Sequence, residues 1–287
     1  MKPLIPIFDD QFAHSASFGT GDLGIGPTYF NWYRGREKLG DVCFVTESWF
    51  DRIDQIPYEH KIALIIEPPA INNKPYEWIR WDENNNKFDY ILTHNKEIIR
   101  PKGAGQPMKY YPFGGCWILP EDRKLYNKTK DVSIIASWKN ETEGHKLRHE
   151  IIKRFGNQID VFGNGYQKVD NKIEALRDYK YTIVVENDKR FFTEKIIDAF
   201  VTGTIPIYYG YEHLDDLFYN VLFFNGIDDI EQILKNVKDP IADKNDILNS
   251  LSINFCNAEQ FCIPEDWIWR YIILANDLLC EFNFHFQ

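Results

Sequence analysis

Along the first hundred or so positions the apolar residues come in short unbroken runs: Val42–Thr46, Ile62–Glu67 and Phe88–Thr93. Runs of this length without a polar face read as strands covered on both sides. Aromatic, proline-bearing and asparagine-rich connections separate them. From residue 132 the pattern becomes regular. Val132–Ser137 reads as a strand, 144–155 as a helix and Asp160–Gly163 as a short strand end. Tyr181–Glu186 follows as a strand, Thr193–Val201 as a helix closed by Gly203, Thr204–Tyr209 as a strand and 227–237 as a helix. Two helical stretches end the pattern, 241–258 and 264–282. The second is apolar nearly all round, through Trp267, Trp269, Tyr271, Ile272, Leu274, Leu278 and Leu279, and a helix of that kind is expected to be buried. Alternating strand and helix imply an α/β architecture. Proline, glycine and charge cluster over 112–131, so the domain boundary is expected there. The expected division is 1–125, 126–262 and a final helical segment, 263–287, that returns to the first domain.

Composition narrows the function classes. A chain of 287 residues with 44% apolar and 26% charged residues is ordinary globular material for two domains. Its formal net charge of −10 argues against nucleic-acid binding through a general positive field. Residues 3–7 are too short for a signal peptide, with Asp9 and Asp10 close behind, and no apolar run has the length of a membrane span. The five cysteines are odd in number and lack a Cys-x-x-Cys pair. They read as reduced thiols of a cytoplasmic protein, with Cys256 and Cys262 in the core.

The chemistry concentrates between Tyr179 and Gly210. If Tyr181–Val185 is a buried parallel strand, Glu186 and Asn187 stand at its carboxyl end, where open α/β sheets receive ligands. Asp188, Lys189 and Arg190 then lead to a helix whose first turn carries Glu194 and Lys195. Unpaired backbone N–H groups and the positive end of the helix dipole favour an anion such as a diphosphate at that position. Read on composition alone, an ordinary βαβ unit with surface charges at a helix start serves as well.

The motifs decide between these readings. Glu186-Asn187, Thr193-Glu194-Lys195 and Pro206-Ile207-Tyr208-Tyr209-Gly210 resemble, in order and spacing, the signature of glycosyltransferase family ten, the α-1,3/4-fucosyltransferases. The resemblance implies a GT-B fold, two Rossmann-like domains facing a central cleft, and transfer of fucose from GDP-fucose to a hydroxyl of a glycan acceptor with inversion. It implies that Glu194 holds the ribose hydroxyls and Lys195 the pyrophosphate, with Glu186, Asn187, Phe191, Thr193, Tyr209 and Gly210 completing the donor site. Phe191 departs from the family, which has tyrosine there, so a hydroxyl contact to the nucleotide is missing or comes from elsewhere. Gly144–Arg148 resembles the start of the family's arginine-bearing helix and makes Arg148 a diphosphate ligand by resemblance; a guanidinium fork suits phosphate oxygens. In the first half, Leu64–Glu67, Phe88-Asp89-Tyr90 and Tyr110-Tyr111-Pro112 resemble the family's succession around its general base, which puts that role on Glu67. Ile66 and Pro68-Pro69 stand where the family often has glycine and asparagine. A strand-end glutamate paired with a lysine is the plain alternative.

Other signals point elsewhere and are weaker. Gly19–Gly24 fits G-x-G-x-x-G with Glu47 at the distance of a ribose contact, but no strand runs into Gly19 and Gly26-Pro27 delays any helix. A flexible loop near the acceptor is expected instead of a dinucleotide site. No Asp-x-Asp triplet exists to hold a metal on donor phosphates. No cofactor is therefore expected beyond the donor substrate, and charge neutralisation falls to Lys195, Arg148 and the helix dipole. His145 and His149 have helical spacing without a third ligand and read as a solvated helix face. The open alternatives are transfer from another GDP-hexose and a non-catalytic sugar- or nucleotide-binding relative.

Overall fold

A computed structural model describes residues 2–99, 108–237 and 244–274. The chain divides into two compact units, Met1–Gly115 together with the segment from Ile263, and Cys116–Cys262. Residues 116–125 thus group with the second unit, and the chain leaves the first unit within the composition break, ten residues before the expected division at 125.

The first unit is built on a parallel sheet of six strands: β1 (Leu4–Phe8), β2 (Asn31–Tyr33), β3 (Val42–Thr46), β4 (His60–Ile65), β5 (Tyr90–Thr93) and β6 (Met108–Tyr110), in the order β2-β1-β3-β4-β5-β6. The central strands are covered on both sides. Ile5, Ile7, Phe44, Leu64 and Leu92 pack on one face with Phe30, Ile268 and Ile272. Val45, Ala63, Ile65 and Ile91 pack on the other with Phe50, Tyr76 and Phe88. Continuous apolar runs were therefore the right signal for β3 to β5. Two short helices, α1 (Lys74–Trp78) and α2 (Asp82–Asn85), and a 3-10 helix, Glu47–Gln55, make the crossovers.

The second unit has five parallel strands: β7 (Lys130–Ile135), β8 (Asp160–Phe162), β9 (Tyr179–Val185), β10 (Ile205–Tyr209) and β11 (Leu222–Phe223), in the order β11-β10-β9-β7-β8. Helices α3 (Glu143–Phe155), α4 (Glu194–Phe200), α5 (Ile227–Asn236) and α6 (Lys244–Glu259) accompany them. Ile151 and Phe155 of α3 and Ile230 and Leu234 of α5 bury against Ile134, Ile183 and Ile207. Written from one end, both sheets run second, first, third, fourth and fifth strand, the doubly wound order. The strand order reverses between β1 and β3 in one and between β7 and β9 in the other, and ligands of such sheets bind outside the carboxyl ends at that point.

Several expectations need correction. Glu67 is not the last residue of its strand; β4 ends at Ile65, two positions earlier. The expected long terminal helix is a short helix, α7 (Pro264–Ile268), followed by a π-helical turn, Trp269–Leu274, while 275–282 lies outside the described residues. Cys262 is buried as expected, but Cys256 is exposed. His145 is 5% exposed, not on a solvated face. Its Nδ1 accepts from the Thr142 amide at 3.3 Å while Thr142 Oγ1 accepts from the His145 amide at 3.1 Å, which closes a cap on α3.

The glycine-rich loop is tied down. Glu265 at the start of α7 accepts from Ser17 Oγ at 2.6 Å, the Phe18 amide at 2.8 Å and Trp32 Nε1 at 3.2 Å. A Cβ added at Gly19 would lie 2.7 Å from the Gly115 Cα and 2.6 Å from Pro264 Cγ, so the glycine serves close packing between backbone segments. Substituting Gly19→Ala is expected to cost about 1–3 kcal/mol as overpacking, read as a lower urea midpoint for the first unit. An unchanged midpoint would show that this contact yields freely.

Candidate functional site

The carboxyl ends of β7 and β9 in the second unit open into a cavity of about 250 Å³. Ile135, Ala136 and Ser137 leave β7 along one wall, Thr182–Val185 of β9 form the floor, and Arg148, Lys172, Glu194, Lys195 and Asp198 bring charge to it. Trp117 and Leu176 add apolar surface. The cavity stands at the point where the strand order reverses.

A buried carboxylate organises the charged side. Glu186, the first residue beyond β9, is 1% exposed. Its Oε1 accepts from the Thr193 amide at 2.9 Å and its Oε2 from the Thr193 hydroxyl at 2.7 Å. The Thr193 hydroxyl in turn accepts from Lys195 Nζ at 2.9 Å, and its side chain caps α4. The ammonium of Lys195 also lies 3.4 Å from Glu186 Oε2 and 3.2 Å from Glu194 Oε1. Burial pushes Glu186 above the usual carboxylate range although Lys195 opposes it. Lys195 is pushed up because the charges of Glu194 and Glu186 outweigh its own burial.

Glu194 and Asp198 are one helical turn apart on α4 and so share a face. Lys172, from the 3-10 helix Lys172–Ala175 before β9, lies 2.7 Å from Asp198 Oδ2 and 3.9 Å from Glu194 Oε1. It also stands over the Trp117 ring, 4.2 Å from the centroid, while the Trp117 amide donates to Asp198 Oδ1 at 2.6 Å. Burial would raise Glu194, but Lys195 and Lys172 together hold it down at about 2. Asp198 moves the other way, raised by burial against the pull of Lys172.

The start of α3 forms the remaining wall. A Cβ at Gly144 would sit 2.1 Å from the Glu186 carbonyl oxygen, so only glycine lets this helix start press on the end of β9. The Arg148 guanidinium is thereby brought to Asn187, donating to its Oδ1 at 2.5 Å, and Arg148 Nε donates to the Gly144 carbonyl at 3.1 Å.

Of the residues expected at a donor site, Arg148, Glu194 and Lys195 line the cavity. Glu186, Asn187 and Thr193 stand behind them and hold them. Gly210 lies against Glu186, where a Cβ would come within 2.7 Å of Glu186 Cγ. The Tyr209 carbonyl accepts from the Glu186 amide at 2.8 Å, and its ring carries Lys189 4.2 Å above it. Phe191 is buried, 3% exposed, and is not among the described lining residues. Lys172, Asp198 and Trp117 were missed. Asp198 was findable from its four-residue spacing to Glu194; Lys172 sits in an irregular crossover with no periodic signal.

In the first unit, Glu67 is half-buried in the turn after β4. Gln11 Nε2 donates to its Oε1 at 3.0 Å, and the Tyr76 hydroxyl donates to its carbonyl at 2.9 Å. The turn is fastened by Glu47, which directly follows β3: Glu47 Oε2 accepts from the Ile66 amide at 3.0 Å and Oε1 from the Glu67 amide at 2.8 Å.

Two open parallel sheets of this order are the GT-B fold of glycosyltransferases. A solved α1,3-fucosyltransferase described with GDP superposes with a TM-score of 0.52 at 17% identity, over 96% of this chain and 91% of that one. Within that fold, residues 125–243, all in the second unit, match the sequence model of Glycosyltransferase family 10 (fucosyltransferase) C-term. A putative fucosyltransferase-like protein of Arabidopsis thaliana is 26% identical over 97 residues, 31% of this chain and 19% of that protein. An alpha-(1,3)-fucosyltransferase, FucT, of Helicobacter pylori is 50% identical over 48 residues, 16% of this chain and 10% of that protein. The matched segments therefore span about a fifth and a tenth of these curated relatives.

The folded value of Glu194 lies below its ordinary 4.5, so its charge stabilises the fold fully above that pH, and the contribution is lost as pH falls toward about 2. Acid unfolding followed by tryptophan fluorescence should be shallower between pH 4.5 and 2 for Glu194→Gln than for the parent chain. Superimposable curves would mean that Lys195 and Lys172 do not hold Glu194 in its ionised form.

Proposed function

We propose that this protein is an inverting glycosyltransferase that moves fucose from GDP-fucose to a hydroxyl of a glycan acceptor. The observation that carries the reading is the cavity at the β7/β9 reversal, where Lys195, Arg148 and Glu194 converge on a segment matched by the family 10 domain. The likeness to a structure described with GDP supports a guanosine diphosphate donor.

In this reading Glu194, ionised and held by two lysines, accepts from the ribose hydroxyls. Lys195 and Arg148 face the diphosphate. As the bond from the anomeric carbon to the phosphate oxygen breaks, negative charge collects on the departing GDP, and these fixed cations stabilise it. Groups already oriented before reaction need no reorganisation when the charge appears. The acceptor oxygen attacks the anomeric carbon from the face opposite the leaving group, and its proton passes to the Glu67 carboxylate. In this reading the Lys195 ammonium and the Arg148 guanidinium supply the positive charge that balances the dianionic diphosphate. Phe191 brings no hydroxyl to the donor site, and this favours a second reading in which the transferred hexose differs while GDP stays.

Calorimetric titration with GDP, GDP-fucose, GDP-mannose, UDP-glucose and NAD separates these readings. Tightest binding of GDP and GDP-fucose is expected. GDP-mannose binding ahead of GDP-fucose would assign the other hexose, and NAD binding alone would overturn the transferase. Lys195→Ala should weaken GDP by about 10- to 100-fold, the worth of one charge-assisted hydrogen bond of about 1.5–3 kcal/mol. Glu67→Gln should leave GDP affinity intact and lower turnover by about two to four orders of magnitude; retained turnover would remove Glu67 as the base.

A further inference from the structure

We infer that Glu47 is a positioning residue for the proposed base: its buried carboxylate fixes the Ile66–Glu67 peptide and so the direction in which the Glu67 carboxylate points. The inference rests on the reading of Glu67 as the base.

Glu47 cannot itself reach an acceptor. It is 7% exposed, and both its carboxylate oxygens are turned onto main-chain N–H groups, Oε2 onto Ile66 at 3.0 Å and Oε1 onto Glu67 at 2.8 Å. A carboxylate spanning two successive amides sets both the position and the plane of the peptide between them. Three further contacts hold the turn around the same residue. The Tyr76 hydroxyl donates to the Glu67 carbonyl at 2.9 Å and stands 3.1 Å from His94 Nε2, and Gln11 reaches the Glu67 side chain from the end of β1. The Glu67 turn is thus fastened at its amide by Glu47, at its carbonyl by Tyr76 and at its side chain by Gln11.

The topology supplies an independent reason. Glu47 is the first residue after β3, and Glu186 is the first residue after β9. β3 and β9 occupy the same place in their sheets, beside the point where strand order reverses. Both glutamates are buried, and both accept from main-chain N–H groups of a neighbouring segment that carries the functional side chains, Glu67 in one unit and Glu194 with Lys195 in the other. One device, a buried carboxylate at the end of the central strand, thus orders the candidate chemistry in each unit.

The charge of Glu47 is felt locally. Burial pushes it up to about 7, its N–H bonds pull it back, and the negative charge of Glu67 raises it further. Tyr111, fully buried after β6, is pushed well above its ordinary value by burial and by the charges of Glu265 and Glu47. Asp9, after β1, is paired with Arg34 at 3.0 Å, and His94, after β5, meets the turn through Tyr76.

The test is Glu47→Gln, which keeps the size but offers one carbonyl oxygen to two N–H groups and turns an NH₂ onto the other. With GDP-fucose and a glycan acceptor, kcat should fall by about 10- to 100-fold, the effect of a small misplacement of a reacting group. The KM for GDP-fucose should stay at its parental value, so that the loss falls on kcat alone. GDP affinity and the stoichiometry of its binding, measured calorimetrically on the same sample, should stay at parental values and so count the folded enzyme. Glu47→Asp, which keeps two acceptor oxygens for the two N–H groups, should recover part of the lost kcat. Parental kcat in Glu47→Gln, alongside a Glu67→Gln that has lost turnover, would overturn this inference and leave the base in place. Turnover surviving in Glu67→Gln would remove the base itself, and with it the ground for this role of Glu47.

Discussion

The clamp of Glu186 on Thr193 is the constraint on which the arrangement of the second unit's cavity depends. One carboxylate accepts from the amide and the hydroxyl of the same residue, and that hydroxyl receives the ammonium of Lys195. Without the clamp, the turn entering α4 would have a buried amide and hydroxyl to satisfy elsewhere, and unpaired buried polar groups are costly. Lys195 and Glu194 would lose the point from which their distances are set. The glycines reinforce the clamp from outside, Gly144 by letting α3 touch the Glu186 carbonyl and Gly210 by leaving room for its side chain.

The electrostatics of the cavity follow from that packing. Three carboxylates (Glu186, Glu194 and Asp198) and three cations (Lys172, Lys195 and Arg148) sit within it or directly behind it. They are not equivalent. Glu194 lies between two ammonium groups and is held ionised at about 2, whereas Glu186 and Asp198 are raised because burial outweighs their single lysine partners. An entering diphosphate would therefore meet Lys195 and Arg148 in a frame whose most firmly ionised carboxylate, Glu194, is the one assigned to hydroxyl groups rather than to phosphate. Separating anion-binding cations from a hydroxyl-binding carboxylate is what a nucleotide needs, since its ribose and its phosphates make opposite demands.

Much of this was legible in the residue pattern, for physical reasons that differ by region. β3, β4, β5, β7, β9 and β10 are buried on both faces, so their unbroken apolar runs announced them. β2, β6 and β11 are short and carry polar or half-buried positions, and no period distinguishes them from connections, whereas β1 is an apolar run of five that was weighed only as a signal peptide. Thr193, Glu194 and Lys195 could be found because their chemistry is contiguous in sequence. Lys172 and Trp117 could not, since each reaches the cavity from an irregular segment far along the chain. The glycine loop was rightly not read as a dinucleotide site, but it was expected to be flexible, whereas Gly19 is glycine because Gly115 and Pro264 leave no room for a Cβ. Glu47 was noted only as the partner that loop would need, and its actual bonds run to the Glu67 turn.

That last reassignment shows how a doubly wound sheet places a buried carboxylate at the same point of both units. Parallel strands leave the carboxyl end with amides and carbonyls that the ladder no longer satisfies, and the central strand at the reversal point is flanked by loops from both sides. A glutamate placed there is long enough to reach the amides of an adjacent loop and is buried enough that those bonds are worth more than they would be in water. Nothing in hydrophobic periodicity marks such a residue, because it is a charged side chain at a position where the pattern has just ended. It becomes visible only when strand order is known: Glu47 and Glu186 are 139 positions apart in the chain and unrelated by motif, yet each is the first residue after the strand that its sheet places beside the reversal.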